Sequence, residues 1–222
     1  MAGKEISKEE SLSLKGYRHA CHIMLYADTD ARLFGKIPMK HIVIHVNVSD
    51  PLCYPASLVV ELNLLSPQMQ MRFDGLLGFP GGLVNPAEES LERGLSRELW
   101  EEMGTALEVT AEDHHSSCVA PSPPHLITHL YCKRLREEEL QEAERAAVLT
   151  AADHGLEVLG MVRVPLYVLK NGGGFPSFLS HSFISNSRSQ LLAALRDLGL
   201  LSPGELDSAV ACAEKIRHGP QP

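Results

Sequence analysis

Between residues 75 and 104 a cluster of glycines runs into a helix carrying three glutamates on one side, and this pairing restricts the fold more than any other feature of the chain. Gly75, Gly78, Gly81 and Gly82 surround Pro80, which implies a tight loop. The next helix is signalled by Asn85 as N-cap, Pro86 at the first helical position and Glu88 three residues after the cap. Leu91, Leu95 and Leu99 recur every four residues as a buried stripe, and Gly104 stands where a left-handed residue ends a helix. Within Arg97-Glu98-Leu99-Trp100-Glu101-Glu102-Met103-Gly104, the carboxylates of Glu98, Glu101 and Glu102 have i, i+3, i+4 spacing and share one face. Three like charges on one patch repel each other unless a cation sits among them. Oxygen donors select a hard ion, so Mg²⁺ or Mn²⁺ is the expected cofactor. Such an ion bridges phosphate oxygens, polarises phosphorus and acidifies a bound water. Gly94, one turn before Glu98, is expected to leave room for ion or phosphate. A solvated acidic helix face is the plainer reading of these glutamates. The pattern R-E-x-x-E-E-x-G behind a glycine loop weighs against it, because chance supplies such a match on the order of once in ten thousand chains.

The rest of the chain supplies strands and helices in alternation. Apolar runs at 18–26, 42–48, 58–65, 69–73, 125–132 and 156–169 read as strands, the last ending in a turn. Residues 134–148 read as a solvated helix, and 171–176 as a loop. Residues 185–200 read as an amphipathic helix with Leu191, Leu192, Leu195 and Leu198 inward. Residues 1–14 are polar and read as a flexible leader, 15–201 as one catalytic domain, and 202–222 as a tail with a short helix. Strands interleaved with helices around a glycine loop predict an α/β sandwich. No apolar run reaches the length of a membrane span. The net charge of −8 leaves no global field to gather nucleic acid, so an RNA would have to be gripped at one end. Five cysteines without a C-x-x-C pair read as reduced thiols rather than a disulfide or zinc framework. His19 and His22 form an H-x-x-H pair with no matching ligand pair, and His114-His115 reads as loop.

Residues 78–104, GFPGGLVNPAEESLERGLSRELWEEMG, resemble the Nudix box, G-x5-E-x7-R-E-U-x-E-E-x-G-U, with the box proper at about 82–104. The second half matches closely. The first holds one extra residue, so Glu88 fits the spacing from Gly82 while Glu89 fits the spacing to Arg97. Segments 18–27, 33–40, 69–82, 153–167 and 182–201 are similar to the snoRNA-decapping group of that family. The resemblance implies a Nudix α/β/α sandwich with a mixed central sheet. It also implies hydrolysis of a phosphoanhydride bond in capped snoRNA or mRNA and in inosine or deoxyinosine diphosphate, releasing a nucleoside monophosphate. The implied metal ligands are Glu98, Glu101, Glu102, Glu157 and the Gly81 carbonyl, with Glu101, Glu102 and Glu157 in catalytic roles and Glu102 or Glu157 as base. The implied nucleotide contacts are His22, Arg72, Phe79 and Gln190. Each has a plain reading too: a core histidine, a surface charge, a packing ring beneath the loop, and a solvated amide; for Glu157 it is a strand-edge carboxylate. Members of the group are homodimers of nucleus, nucleolus and cytoplasm. The alternatives are a weakly catalytic Nudix-fold binding protein, of which the family holds an example with a degraded box, and a Nudix hydrolase of ADP-ribose or another nucleotide derivative. Residues 42–68 form an insert relative to the group, either an extra hairpin or a replacement for a core strand.

Overall fold

In a computed structural model the chain is described at residues 3–38, 41–42, 68–72, 75–120, 125–155 and 158–218. The expected strands at 42–48 and 58–65, and nearly all of the insert, lie outside these residues.

The frame is a long strand, β2 (Arg18–Asp28), which starts where the apolar run at 18–26 does and extends two residues beyond it. It follows β1 (Lys4–Ile6) and helix α1 (Lys8–Ser13). Short strands β3 (Arg32–Leu33), β4 (Ile37–Pro38) and β5 (His41–Ile42) come next, then β6 (Gln68–Arg72), β7 (Leu77–Gly78) and β8 (Gly81–Val84). Helix α2 spans Leu91–Met103. Strands β9 (His114–Val119) and β10 (Leu126–Arg134), helix α3 (Glu137–Leu149) and strand β11 (Val158–Arg163) follow. Helices α4 (Phe175–Leu179), α5 (Ser187–Asp197) and α6 (Pro203–His218) close the described chain.

The main sheet has the order β1-β9-β10-β2-β5, with β8 also paired to β2. β10 runs parallel to β2, from Leu126 opposite Arg18 to Arg134 opposite Tyr26, while β1, β9, β5 and β8 pair antiparallel, so the sheet is mixed as expected. A second, antiparallel sheet has the order β11-β6-β7. Because side chains alternate along a strand, β2 feeds two cores. Cys21, Ile23, Leu25 and Ala27 meet Leu91, Leu95, Leu99 and Met103 of α2 and Leu140, Ala143 and Ala147 of α3. Met24, with Leu130 of β10, meets Phe175, Leu191, Ala194, Leu195 and Leu206 from α4, α5 and α6. The result is the expected α/β/α sandwich.

Four local expectations are corrected. Helix α2 begins at Leu91, capped by the Ser90 hydroxyl, which accepts from the Arg93 N–H. Asn85 instead closes a turn: its side chain accepts from Ala87 N–H at 3.2 Å and its carbonyl from Glu88 and Glu89 N–H. A capping signature and a turn signature use the same residue types, and here the turn wins. Helix α3 is not solvated all round, since Leu140, Ala143 and Ala147 recur at helical spacing and are buried. His114 and His115 open strand β9 rather than lying in a loop. The polar leader is docked over residues 4–13: β1 pairs with β9, Ser7 caps α1, Ser11 is fully buried, and Lys8 is ion-paired to Glu92, which also accepts from the Tyr131 hydroxyl at 2.8 Å.

Beneath α1 a chain of polar side chains crosses the sheet. His19 Nδ1 lies 2.9 Å from His129 Nε2, His129 Nδ1 lies 2.8 Å from Ser117 Oγ, and that hydroxyl lies 2.9 Å from His114 Nε2. His129 is fully buried, and burial first, then the neighbouring His19, pushes its pKa down to about 3. Burial also lowers His19 and His114.

Two measurements follow from this arrangement. Removing residues 1–14 takes away β1, α1 and the Lys8–Glu92 pair, and should lower stability in urea by about 2 kcal/mol; a free leader would leave the midpoint unchanged. The unfolded chain takes up protons below about pH 6.5 that the buried His129 refuses, so stability should fall as pH drops below that value and continue falling towards the native value near 3. His129 alone should contribute roughly 3 kcal/mol of that loss by pH 4. Urea midpoints measured from pH 7 to 4 should show it, and His129→Asn should flatten the slope by about one proton.

Candidate active site

The site forms where β8 leaves the glycine loop and passes beneath α2. Gly81 has φ +126°, and a Cβ there would lie 2.1 Å from the Cys21 carbonyl oxygen, so only glycine lets β8 pair this closely with β2. That approach brings the Gly81 N–H to 2.7 Å from the Glu102 carboxylate, which is only 7% exposed. Gly82 sits under Glu98: a Cβ on it would lie 2.1 Å from a Glu98 carboxyl oxygen. The two adjacent glycines therefore serve two different carboxylates of one helix.

Gly94 plays another part than expected. A Cβ there would lie 2.5 Å from both methyls of Val84, so the missing side chain admits the β8 side chain and not an ion or phosphate. Gly94 is what lets α2 lie against β8.

Arg97 organises the carboxylates. Its Nη2 reaches Glu89 at 3.0 Å, and its Nη1 reaches Glu98 at 2.8 Å and Glu101 at 3.3 Å. Nη2 also lies 3.4 Å from the Leu83 carbonyl. Hydrogen bonds to Glu89, then to Glu98, hold the guanidinium proton more tightly than usual. The pairing with Glu89 settles which of the two candidate box glutamates braces the loop. The extra residue therefore lies between Gly82 and Glu89, in the Asn85 turn, and Glu88 is exposed at its tip.

Glu98 and Glu101 turn towards Arg97 while Glu102 turns to Gly81. Among the described residues, no three His, Cys, Asp or Glu side chains converge as a closed metal cage. The donor set nonetheless fits a divalent cation. It is all oxygen, it sets three carboxylates against one guanidinium, and Glu98 lies in the hollow that Gly82 leaves open. An ion would compete with Arg97 for Glu98 and Glu101.

The remaining expected residues are distributed around this centre. His22 stands on β2 directly opposite Gly81 and is half-buried. Arg72 ends β6, opposite Val158. Phe79, between β7 and β8, is 4% exposed and belongs to the core beside Met24 and Leu130, which is the packing role set out for it. Gln190 is buried on α5, its amide nitrogen 3.5 Å from the Thr128 hydroxyl, which also accepts from Asn186 at 2.9 Å. Glu157 lies outside the described residues. Thr128 and Asn186 were not singled out from sequence; a threonine on a strand and an asparagine in a loop carry no signal there that they meet.

A helix bearing R-E-L-W-E-E-M-G, bonded at its third glutamate to a glycine loop on a mixed, helix-covered sheet, is the arrangement of the Nudix hydrolases. The chain belongs, more narrowly, to the Nudt16-like family, whose description reads "U8 snoRNA-decapping enzyme-like" and which matches residues 19–201. It is 44% identical over 219 residues to the U8 snoRNA-decapping enzyme of Xenopus laevis, covering 97% of this chain and 92% of that one. It is 47% identical over 206 residues to the mouse (Mus musculus) protein of the same name, covering 90% and 92%. It is also 44% identical over 212 residues to the mouse Tudor-interacting repair regulator protein, covering 95% and 88%.

Gly82→Ala separates the cradle from the fold. The nearest atoms to the added methyl are the carboxyl end of the Glu98 side chain, so stability should change by no more than about 0.5 kcal/mol. Displacing Glu98 should lower Mn²⁺ affinity by about tenfold, read by calorimetric titration. Unchanged affinity would place the ion away from Glu98.

Proposed function

We propose that this chain is a divalent-cation-dependent hydrolase of the phosphoanhydride bridge in a capped RNA, with inosine and deoxyinosine diphosphates as small substrates. The observation that carries the reading is the Glu102 carboxylate, buried on α2 and held by the Gly81 N–H at 2.7 Å beside Glu98, in a chain closely similar to the relatives that bear the decapping name. Mg²⁺ or Mn²⁺, held by Glu98, Glu101 and Glu102 with the Gly81 carbonyl and Glu157 as further donors, would neutralise the diphosphate and acidify water.

The protein's own groups then have separate tasks. Glu102 is held by a backbone donor, so its carboxylate keeps one orientation and can take a proton from the attacking water; Glu157 is the other residue suited to that role. Arg97 holds Glu98 and Glu101 until substrate and ion arrive, and Glu89 keeps the guanidinium in place. His22, opposite Gly81, and Gln190, on the far side of the sheet from α2, supply polar groups to the nucleotide, with Arg72 for its phosphates and Phe79 as the wall behind it. In-line attack by water yields a nucleoside monophosphate and inorganic phosphate from a diphosphate, and a released cap nucleotide and a 5′-phosphorylated RNA from a capped one. The family resemblance further supports a homodimer acting in nucleolus, nucleoplasm and cytoplasm.

A second reading, a binding protein on the same fold, draws on the Tudor-interacting relatives. The complete set of box carboxylates here favours the enzyme. Glu102→Gln should reduce turnover of capped RNA and inosine diphosphate by about 10²- to 10⁴-fold. The assay, run with ADP-ribose beside them, decides the substrate class; equal turnover by wild type and variant would remove Glu102 from the chemistry.

A further inference from the structure

Although the chain carries a net charge of −8, positive side chains collect where α4, α5 and α6 meet. In the last turn of α6, Arg217 donates from Nε to the Ser180 carbonyl at 3.2 Å and from Nη2 to the His181 carbonyl at 2.8 Å. In the first turn of α5, Arg188 donates from Nε to the Leu179 carbonyl at 3.3 Å. Successive carbonyls at the end of α4 thus orient two guanidiniums side by side. Lys215 and His218 are exposed in the same turn of α6, and His181 is exposed beside them. The Arg188 guanidinium holds its proton less tightly than usual, first through partial burial and next through the charge of Arg217, with Glu214 opposing. Among the described residues neither guanidinium has a carboxylate within ion-pair distance. Capping of α4 accounts for the hydrogen bonds, but it does not call for two neighbouring arginines at the end of a five-residue helix.

The patch is tied to the catalytic helix through the backbone. The Ser182 carbonyl accepts from the Leu77 N–H at 3.0 Å, and the Leu77 carbonyl accepts from the Ile184 N–H at 2.9 Å. Leu77 begins β7, and four residues further on the Gly81 N–H is bonded to Glu102. Extended-chain lengths therefore bound the distance from the His181 carbonyl to the Glu102 carboxylate at about 24 Å. That ceiling keeps the patch within reach of the chain attached to a nucleotide at the carboxylates.

We infer that Arg188 and Arg217 receive the phosphate backbone of a capped RNA while its 5′ end is cut at the carboxylates of α2, an inference that rests on the decapping reading above. Guanidinium forks match phosphate oxygens, and in an acidic protein a local group of cations is the means of holding a polyanion. The surface then matters only for substrates with an RNA body.

The test is the double variant Arg188→Gln/Arg217→Gln, which keeps N–H donors for the α4 carbonyls while removing both charges. Its kcat/KM should fall roughly tenfold on a capped RNA at low salt, and the log–log dependence on salt should become shallower by about two. Its kcat/KM on the free cap dinucleotide should not change, which also shows that the variant is folded. Equal losses on both substrates, or none on the RNA, would overturn the inference, and the second outcome would leave the surface to a protein partner. Fluorescence anisotropy of the same RNA, with Glu102→Gln added to prevent cutting, reads the surface independently of turnover. If wild type cleaves neither substrate, the decapping reading falls. A salt-dependent loss of RNA binding in the arginine variant would still support the surface, and unchanged binding would overturn it.

Discussion

The hydrogen bond from the Gly81 amide to the Glu102 carboxylate joins the two halves of the site, and the rest of the structure is arranged to permit it. It requires β8 to pass close to β2, which the absent side chain of Gly81 allows. It requires α2 to lie low on β8, which the absent side chain of Gly94 allows. It also requires the helix to be seated, and Leu91, Leu95, Leu99 and Met103 do this against β2 and α3. A buried carboxylate is costly unless hydrogen-bonded, so the amide fixes Glu102 and makes its burial tolerable.

Electrostatics divides the same helix into two regimes. Arg97 is solvent-accessible and shares its charge among Glu89, Glu98 and Glu101, so each contact is weak and exchangeable. Glu102 is buried and is held by a neutral dipole fixed in the backbone. The outer carboxylates can therefore change partners at little cost, while the inner one keeps its position. A site that must admit a cation and a polyanion, then release product, is served by that combination.

Features resting on periodicity were legible before the fold was known. The leucine stripe of α2, the αL glycine at 104, the α/β sandwich and the glutamate triplet all follow from spacing, while the mixed sheet came from the family resemblance. What could not be read depended on contacts between distant segments. Asn85, Pro86 and Glu88 satisfy the rules of a helix start, and it took the reach of Glu89 to Arg97 to turn that segment into a loop. Gly94 was assigned to the ligand because nothing in the sequence shows that Val84 needs the space. The polar segment at 4–13 read as part of a flexible leader because its partners, β9 and Glu92, lie far along the chain. The Thr128–Asn186 contact, 58 residues apart, was invisible for the same reason.

That short N-terminal strand also governs how the molecule ends. β1 covers β9 with a run of only three residues, and Lys4 and Glu5 point their charges outward at the margin of the sheet. A six-residue β9 left bare would offer a row of unpaired amides and carbonyls to any neighbour. A brief, charged rim satisfies those groups while giving another molecule too little ribbon to extend. Protection from open-ended stacking is thus assigned to the part of the chain that reads most like a loose end.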